Sequence, residues 1–400
     1  MRMSSVQIFQ QGVSSILAQQ AQAARTEQQL ATGRRILTPA DDPVAAAQVL
    51  DITQDLERVD QYQRNANLAE GQLALEDTVL ADVGNILQRV RELVVQANNA
   101  SQGPETRAGI ATEVEARIDE LLALANTSDA TGEYIFAGYQ AQTQPFTRQG
   151  GGVGYAGDDG QRYLQVGNAT QVAVRDSGTA VFRSVPTGNG TFSIAAAAAN
   201  AGTAVAGQSS VVSGFAADQY SIAFSQATPA DPVTYQVLDS GAGVVASGTY
   251  SDGDSIEFAG VSVAFSGQPA DGDSFDVAPA VKQDMFSLLQ GIVDDLNGAG
   301  TAPAEIAALN NALGQALNGI DQALGKTLEV RADVGVRLAQ VENQLDINDQ
   351  FNLQLQETLS GIQDLDYAEA ISRFNLELTA LQAAQQAYAR MYEMSLFNYL

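Results

Sequence analysis

The chain has 400 residues, room for about two to four domains, and its 20 basic against 47 acidic side chains give a formal charge of −27. That balance argues against a nucleic-acid footprint, which needs a basic patch. The absence of His and Cys removes triads, thiol nucleophiles, thiolate metal sites and histidine-bound zinc, and no run of about 18 apolar residues reads as a membrane span.

The first predicted helix starts near Ser4 or Ser5, either of which can cap it, and stops at Gly33. Val6, Phe9, Val13, Ile16, Gln20, Ala23, Glu27 and Leu30 step alternately by three and four along it. That is a heptad seam with polar interruptions at Gln20 and Glu27. Some 28 residues make a rod of about 42 Å, which needs a partner helix to bury its stripe. A polar link, Thr38-Pro39-Ala40-Asp41-Asp42-Pro43, leads into a second helix, with Asp41 or Asp42 as its cap and Pro43 in its first turn. Val49, Ile52, Leu56 and Val59 continue a seam, and Val79, Val83, Ile86, Val90, Leu93 and Ala97 form another. Gly103-Pro104-Glu105 opens a third helix, expected to stop near Thr131-Gly132.

Strand signals follow. Tyr134-Ile135-Phe136 is one; Val153 to Tyr155 and Arg162 to Val166 flank an Asp158-Asp159-Gly160 turn; Gln171 to Val174 is another. Short β runs recur at 220–224, 234–238, 255–258, 261–265 and 275–277, a spacing that suits an antiparallel β domain. Asp252-Gly-Asp-Ser and Asp271-Gly-Asp-Ser each mark a tight turn into a strand. The segments 195–199 and 200–214 are expected as mobile loop. Helix resumes after Pro279 and breaks at Gly298 to Pro303. Val334, Leu338, Val341, Leu345, Asn348, Asn352, Leu355, Leu359 and Ile362 then keep the three–four stepping. A phase slip at Asp364 to Asp366 starts a last seam: Tyr367, Ile371, Phe374, Leu378, Leu381, Gln385, Tyr388 and Tyr392.

Apparent chemical motifs lack their context. Gly152 to Gly157 fits G-x-G-x-x-G but turns into a strand instead of a helix. Gly319 to Thr327 imitates a phosphate loop with one residue too many, inside a helical pattern. The acidic turns lack the D-x-D-x-D-G spacing of a calcium loop. No catalytic residue, cofactor or metal is therefore expected, and the chain reads as a non-enzyme. For the terminal seams two readings stay open: an intramolecular core, or packing against other chains. Their length, their position at the ends of the sequence and their polar interruptions at Gln20, Glu27 and Gln385 favour the second.

LATGRRILTPADDPVAAAQ (Leu30 to Gln48) resembles the junction between the first two helices of flagellin-like proteins. Its T-P-x-D-D-P form is similar to the hook-associated members that join hook to filament, the FlgL type, more than to flagellin. GEYIFAGYQAQTQPF (Gly132 to Phe146), YAGDDGQRYLQVGNATQVAV (Tyr155 to Val174) with Val181-Phe182, RADVGVRLAQVE (Arg331 to Glu342) and the stretch from Tyr367 to Leu400 resemble the same family. The likeness covers about 1–182 and 281–400.

The resemblance implies an α+β fold, elongated and flagellin-like, whose long N- and C-terminal helices form coiled-coil and helical-bundle domains around an inserted antiparallel β domain. It implies an inner-tube coiled coil of 1–38 with 363–400, a helical domain with hairpins from 39–182 and 281–362, and an outer β domain at 183–280. Residues 1–11 carry no secretory pattern, which alone points to the cell interior. The resemblance revises that to an extracellular flagellar component exported by the type III apparatus without a cleaved leader. Expected partners are further copies of the chain, a proximal hook-associated junction protein, flagellin, an export chaperone and the export apparatus, with no nucleic acid and no membrane. The expected subunit-interface seam is Val6, Phe9, Val13, Ile16, Leu30, Ile371, Phe374, Leu378, Leu381 and Tyr388. Arg34, Asp41 and Asp42 are expected to form the joint between rod and outer domain. Flagellin itself is the alternative, and a ligand-binding β domain on a helical stalk a more distant one.

Overall fold

The computed structural model describes residues 5–99, 102–228 and 230–393, excluding the side chains of 5, 6, 8 and 391–393. The elements run α1 (Ser5–Thr32), α2 (Pro43–Ala97), α3 (Pro104–Ala125), β1 (Phe146–Gln149), β2 (Gly152–Tyr155), β3 (Tyr163–Gln165), β4 (Gln171–Ala173), α4 (Gly178–Phe182) and β5 (Val185–Pro186). There follow β6 (Phe192–Ala196), β7 (Val205–Val211), β8 (Tyr220–Ser225), β9 (Thr234–Leu238), β10 (Val244–Thr249), β11 (Ser255–Phe258), β12 (Val261–Ser266), β13 (Ser274–Pro279) and β14 (Lys282–Gln283). The chain closes with α5 (Met285–Gly298), α6 (Pro303–Gln363) and α7 (Tyr367–Glu393). It divides into two compact units, one of Met1–Asn65 with Gln344–Leu400 and one of Ala66–Asn343.

In the first unit α1 packs antiparallel to α7, and the 43–65 part of α2 packs antiparallel to the 344–363 part of α6. Gly33 ends α1 with φ +68°, its N–H donating to the Gln29 carbonyl at 2.8 Å. A Cβ there would be strained and would meet the Tyr367 hydroxyl at 2.7 Å, so glycine is the residue that fits. Polar seam positions fix the second pair: Asn352 Nδ2 donates to Asp60 at 2.8 Å and Gln63 Nε2 to Asp349 at 3.0 Å. Such side chains specify register more than they add stability. The break predicted at 364–366 is real, and it is braced. Arg34 and Asp364 form a β-bridge, Arg35 N donates to Gln363 O at 2.7 Å and Leu365 N to Gly33 O at 2.9 Å.

The second unit buries a helical core. Leu73, Leu80, Leu87, Val90 and Leu93 of α2 are sealed, as are Val114, Ile118 and Leu121 of α3, Leu289 and Ile292 of α5, and Leu313 and Ile320 of α6. Phe136, Phe146, Phe182 and Phe286 close a ring cluster with centroids 5.1–5.9 Å apart. Beyond it the β domain has a five-stranded sheet ordered β10-β9-β8-β13-β6 and a three-stranded sheet β11-β12-β7. Strict alternation in β8 and β12 points Tyr220, Ile222, Phe224, Val261, Val263 and Phe265 into one core with Phe275 and Val277.

Four sequence expectations need correction. The third helix stops at Ala125 because the Asn126 side chain bonds Leu122 O (3.0 Å) and both backbone groups of Phe146 (2.9 and 3.0 Å). Tyr134-Ile135-Phe136 is no strand: Tyr134 makes a single bridge to Ser128, and Gly138 at φ +66° turns the chain while Ile135 and Phe136 enter the core. Asp158-Asp159-Gly160 is no hairpin turn. The hairpin forms one step earlier, where Gly150 and Gly151 (φ +55° and +95°) join β1 to β2 and suit a two-residue loop with both residues at positive φ. Finally, 195–214 is not all loop, since Ala195 and Ala196 belong to β6 and 205–211 form β7, paired with β12. The Gly- and Ser-rich β7 lacks apolar alternation because it is an edge strand with little burial.

Candidate functional site

The surfaces of α1 and α7 are the site the sequence points to. Phe9 meets Tyr388 edge-on, with ring centroids 5.7 Å apart. Along α1 the half-buried or buried positions are Phe9, Gly12, Ile16, Gln19, Ala23, Thr26 and Leu30, together with Gln29, which lies off this stepping and donates to Arg35 O at 2.7 Å. Along α7 they are Ala370, Phe374, Glu377, Leu381, Ala384 and Tyr388. Both sets step by three and four, as a seam must.

One column of the expected seam thus lies in this pairing: Phe9, Ile16, Leu30, Phe374, Leu381 and Tyr388. The other does not. Val13 is 42% exposed, Ile371 49% and Leu378 36%, and Gln20, Glu27 and Gln385 also face outward. The side chain of Val6 lies outside the described residues, as does that of Tyr392. The structure turns the neighbouring column inward in both helices: Gly12, Gln19 and Thr26 in α1, and Ala370, Glu377 and Ala384 in α7. Gly12, Ala370 and Ala384 let the backbones approach at their levels; a Cβ on Gly12 would already sit 3.0 Å from the Tyr388 ring. A stripe three columns wide has two equivalent choices of inner column, and heptad stepping alone does not select between them. The result leaves Val13, Leu17, Ile371 and Leu378 exposed among Gln20, Glu27 and Gln385, with Leu376 69% exposed as well.

The joint residues are held differently from expectation. Asp41 accepts from the N–H groups of Leu37 (3.0 Å) and Thr38 (2.9 Å) and pairs with Arg25. The Thr38 N–H above all, with Leu37 and Arg25 adding, holds the Asp41 carboxyl below its ordinary range. Asp42 caps α2 by accepting from Ala45 N at 3.0 Å, and its other oxygen lies 3.8 Å from the Arg35 guanidinium. Arg35 also donates to Ile362 O at 2.7 Å. Arg34 does not meet Asp41 or Asp42; it contributes its backbone bridge to Asp364. The cations that matter here are Arg25 and Arg35, which sequence reading missed. Of two adjacent arginines, the spacing does not tell which turns inward.

The other quoted motifs are cross-links within the second unit. Arg331 Nε donates to Asp77 at 2.9 Å and Arg337 pairs with Asp176. Buried Arg175 lies 2.5 Å from Asp129 and 3.2 Å from Glu133, which also receives Arg162 at 2.7 Å. Lys326 pairs with Glu329 on the same helix at 3.1 Å. The carboxylates of the acidic turns accept from backbone N–H groups: Asp252 from Gly267 (2.7 Å), Asp254 from Ser251 (2.8 Å), Asp271 from Gln226 (3.0 Å) and Asp273 from Ala201 (2.8 Å). These bonds give the turns a structural role. Among the described residues no group of three acidic side chains is placed to hold a metal ion, and no helix is long and apolar enough to cross a membrane.

Residues 4–141 match the bacterial flagellin N-terminal helical region and 317–400 the bacterial flagellin C-terminal helical region. The chain is 26% identical over 398 residues to flagellar hook-associated protein 3 of Escherichia coli K12, covering 100% of this chain and 99% of that one. It is 34% identical to the solved flagellar junction protein FlgL of Legionella pneumophila, with a TM-score of 0.72 over 79% of this chain and 100% of that one. Flagellin of Escherichia coli K12 matches at 27% over 124 residues, 31% of this chain and 25% of that one.

Proposed function

The chain belongs to the flagellar hook-associated protein 3 (FlgL) family, and on that premise we propose how it serves the flagellum: as a structural subunit of the junction between hook and filament. Flagellin is not favoured, since its match is confined to about a third of the chain. In this reading the α1–α7 pair forms the inner-tube domain, taken as 1–38 with 363–400, and Asp41, Asp42, Arg34 and the arginines beside them set the joint behind it. A helical domain with hairpins from 39–182 and 281–362 follows, and the 183–280 β domain faces outward. Copies of the chain, a proximal hook-associated protein and flagellin are the neighbours, reached after type III export with a chaperone covering the C-terminal helix. The subunit works by binding alone, without a chemical step.

The observation that carries the reading is the exposure of Val13, Leu17, Ile371 and Leu378 on the terminal helix pair. Exposed apolar side chains on a helix pair favour association, since each buried square ångström of apolar surface contributes roughly 25 cal/mol. Coupled ordering and assembly then follows, because neighbours that bind only the folded pair stabilise it.

A fluorescent tag placed in the exposed turn at Ser240-Gly241, between β9 and β10, tests the role. A single focus at the base of each filament is expected, and deletion of the gene should release flagellin into the medium. Label along the whole filament would instead indicate a filament subunit.

A further inference from the structure

Glu76 lies on α2 and is 1% exposed. One of its oxygens, Oε1, accepts from the backbone N–H of Asp176 at 3.0 Å. The other, Oε2, is buried with no hydrogen-bond partner, and so is the side-chain oxygen of Gln72, one helical turn earlier. Residues four apart on a helix face the same way and touch. Two buried acceptors one helical turn apart lack the same thing, a donor, and leaving both unmet is costly.

We propose that Glu76 is a proton-operated latch: as the neutral acid it donates from Oε2 to the Gln72 oxygen, and losing that proton to solvent leaves a buried charge beside the Asp176 carboxylate that loosens the contact between α2 and the segment carrying Asp176. Among the described residues, the cations on the elements packed against Glu76 are each paired with another carboxylate. From α6, Arg337 is taken by Asp176, and Arg331 by Asp77 of α2. From the segment between β4 and α4, Asp176 presents a second carboxylate, which also receives Gln161 Nε2 at 3.1 Å, and Arg175 is committed to Asp129 and Glu133. Burial, with the Asp176 charge adding to it, pushes the Glu76 carboxyl up to about 8, against the pull of Arg337 and of the Asp176 N–H. The sign is opposite to that of a salt-bridged acid. A raised carboxyl stabilises fully below its unfolded value near 4.5, and that contribution is lost as pH rises towards 8.

The test compares the full chain with Glu76→Gln, whose side-chain N–H₂ replaces the acid proton. Thermal melts from pH 5 to pH 9.5 should give the same Tm for both at pH 5 and a Tm for Glu76→Gln higher by roughly 5 °C or more at pH 9.5. Equal melts across the range, or a variant that is less stable at high pH, would overturn the proposal. The wild-type chain supplies a second readout that does not depend on the variant folding. Its infrared spectrum should hold a protonated-carboxyl band at pH 6.5 that disappears by pH 9.5. No such band at pH 6.5 would refute the latch.

Discussion

The ring of Phe9, near the start of the first helix, stands perpendicular to the ring of Tyr388 in the last, with centroids 5.7 Å apart and planes at 90°. Edge-to-face pairs of this kind contribute about 0.5–1.5 kcal/mol beyond their buried area. A double-mutant cycle with Phe9→Leu and Tyr388→Leu should return a coupling of about 1 kcal/mol in the melting of the terminal helix pair. A coupling indistinguishable from zero would mean the two helices part in solution.

Gly33 holds a left-handed turn against the Tyr367 hydroxyl. Gly33→Ala should destabilise the first unit by about 1–2 kcal/mol, through the positive φ and the displaced tyrosine. Tyr367→Phe in the alanine background should recover part of the loss, because the hydroxyl is the atom in the way. Circular dichroism melts of the parent chain and the two variants make the comparison.

Burial decides which ion pairs matter in the second unit. Arg175 is 4% exposed between Asp129 and Glu133. Arg175→Met should cost about 3–5 kcal/mol, since it removes the cation facing the largely buried Asp129 carboxylate, while Glu133 keeps Arg162. Arg331 faces Asp77 with both side chains more than a third exposed, so Arg331→Met should cost no more than about 1 kcal/mol. Denaturant midpoints on the two variants rank them directly.

Asp41 is the acid-sensitive point of the joint. Its carboxyl is held below the ordinary range chiefly by the Thr38 N–H, so its stabilisation is present above the unfolded carboxylate range and is lost as pH falls through its own lower value. Asp41→Asn should therefore weaken the joint at neutral pH and make little difference in strong acid. Proteolysis at the 33–42 link, followed from pH 7 into progressively stronger acid with an acid-active protease, should show faster cleavage of the variant at pH 7 and a difference that fades as the pH falls.

Heptad stepping made the long helices legible, and period-two alternation made β8, β9, β11, β12 and β13 legible. Both signals record a face that is buried. What stayed hidden lacked such a face. The edge strand β7 is Gly- and Ser-rich, and its place follows from pairing with β12. The end of α3 depends on what the Asn126 amide reaches across the chain at Phe146, which local sequence does not encode. At the candidate site Phe9, Ile16, Phe374, Leu381 and Tyr388 were legible as seam residues. The choice between Gly12 and Val13, or between Ala370 and Ile371, as the inward neighbour was not. That choice rests on how closely two backbones approach, a property of the pair and not of either helix.

The account depends on α1 and α7 offering exposed apolar side chains that neighbouring subunits cover. Amide hydrogen exchange on the free chain and on the assembled junction measures this. Residues 9–30 and 370–388 should exchange faster than the core of the second unit in the free chain and slow by roughly 100-fold or more on assembly. Equal exchange in the two states, or full protection already in the free chain, would contradict it.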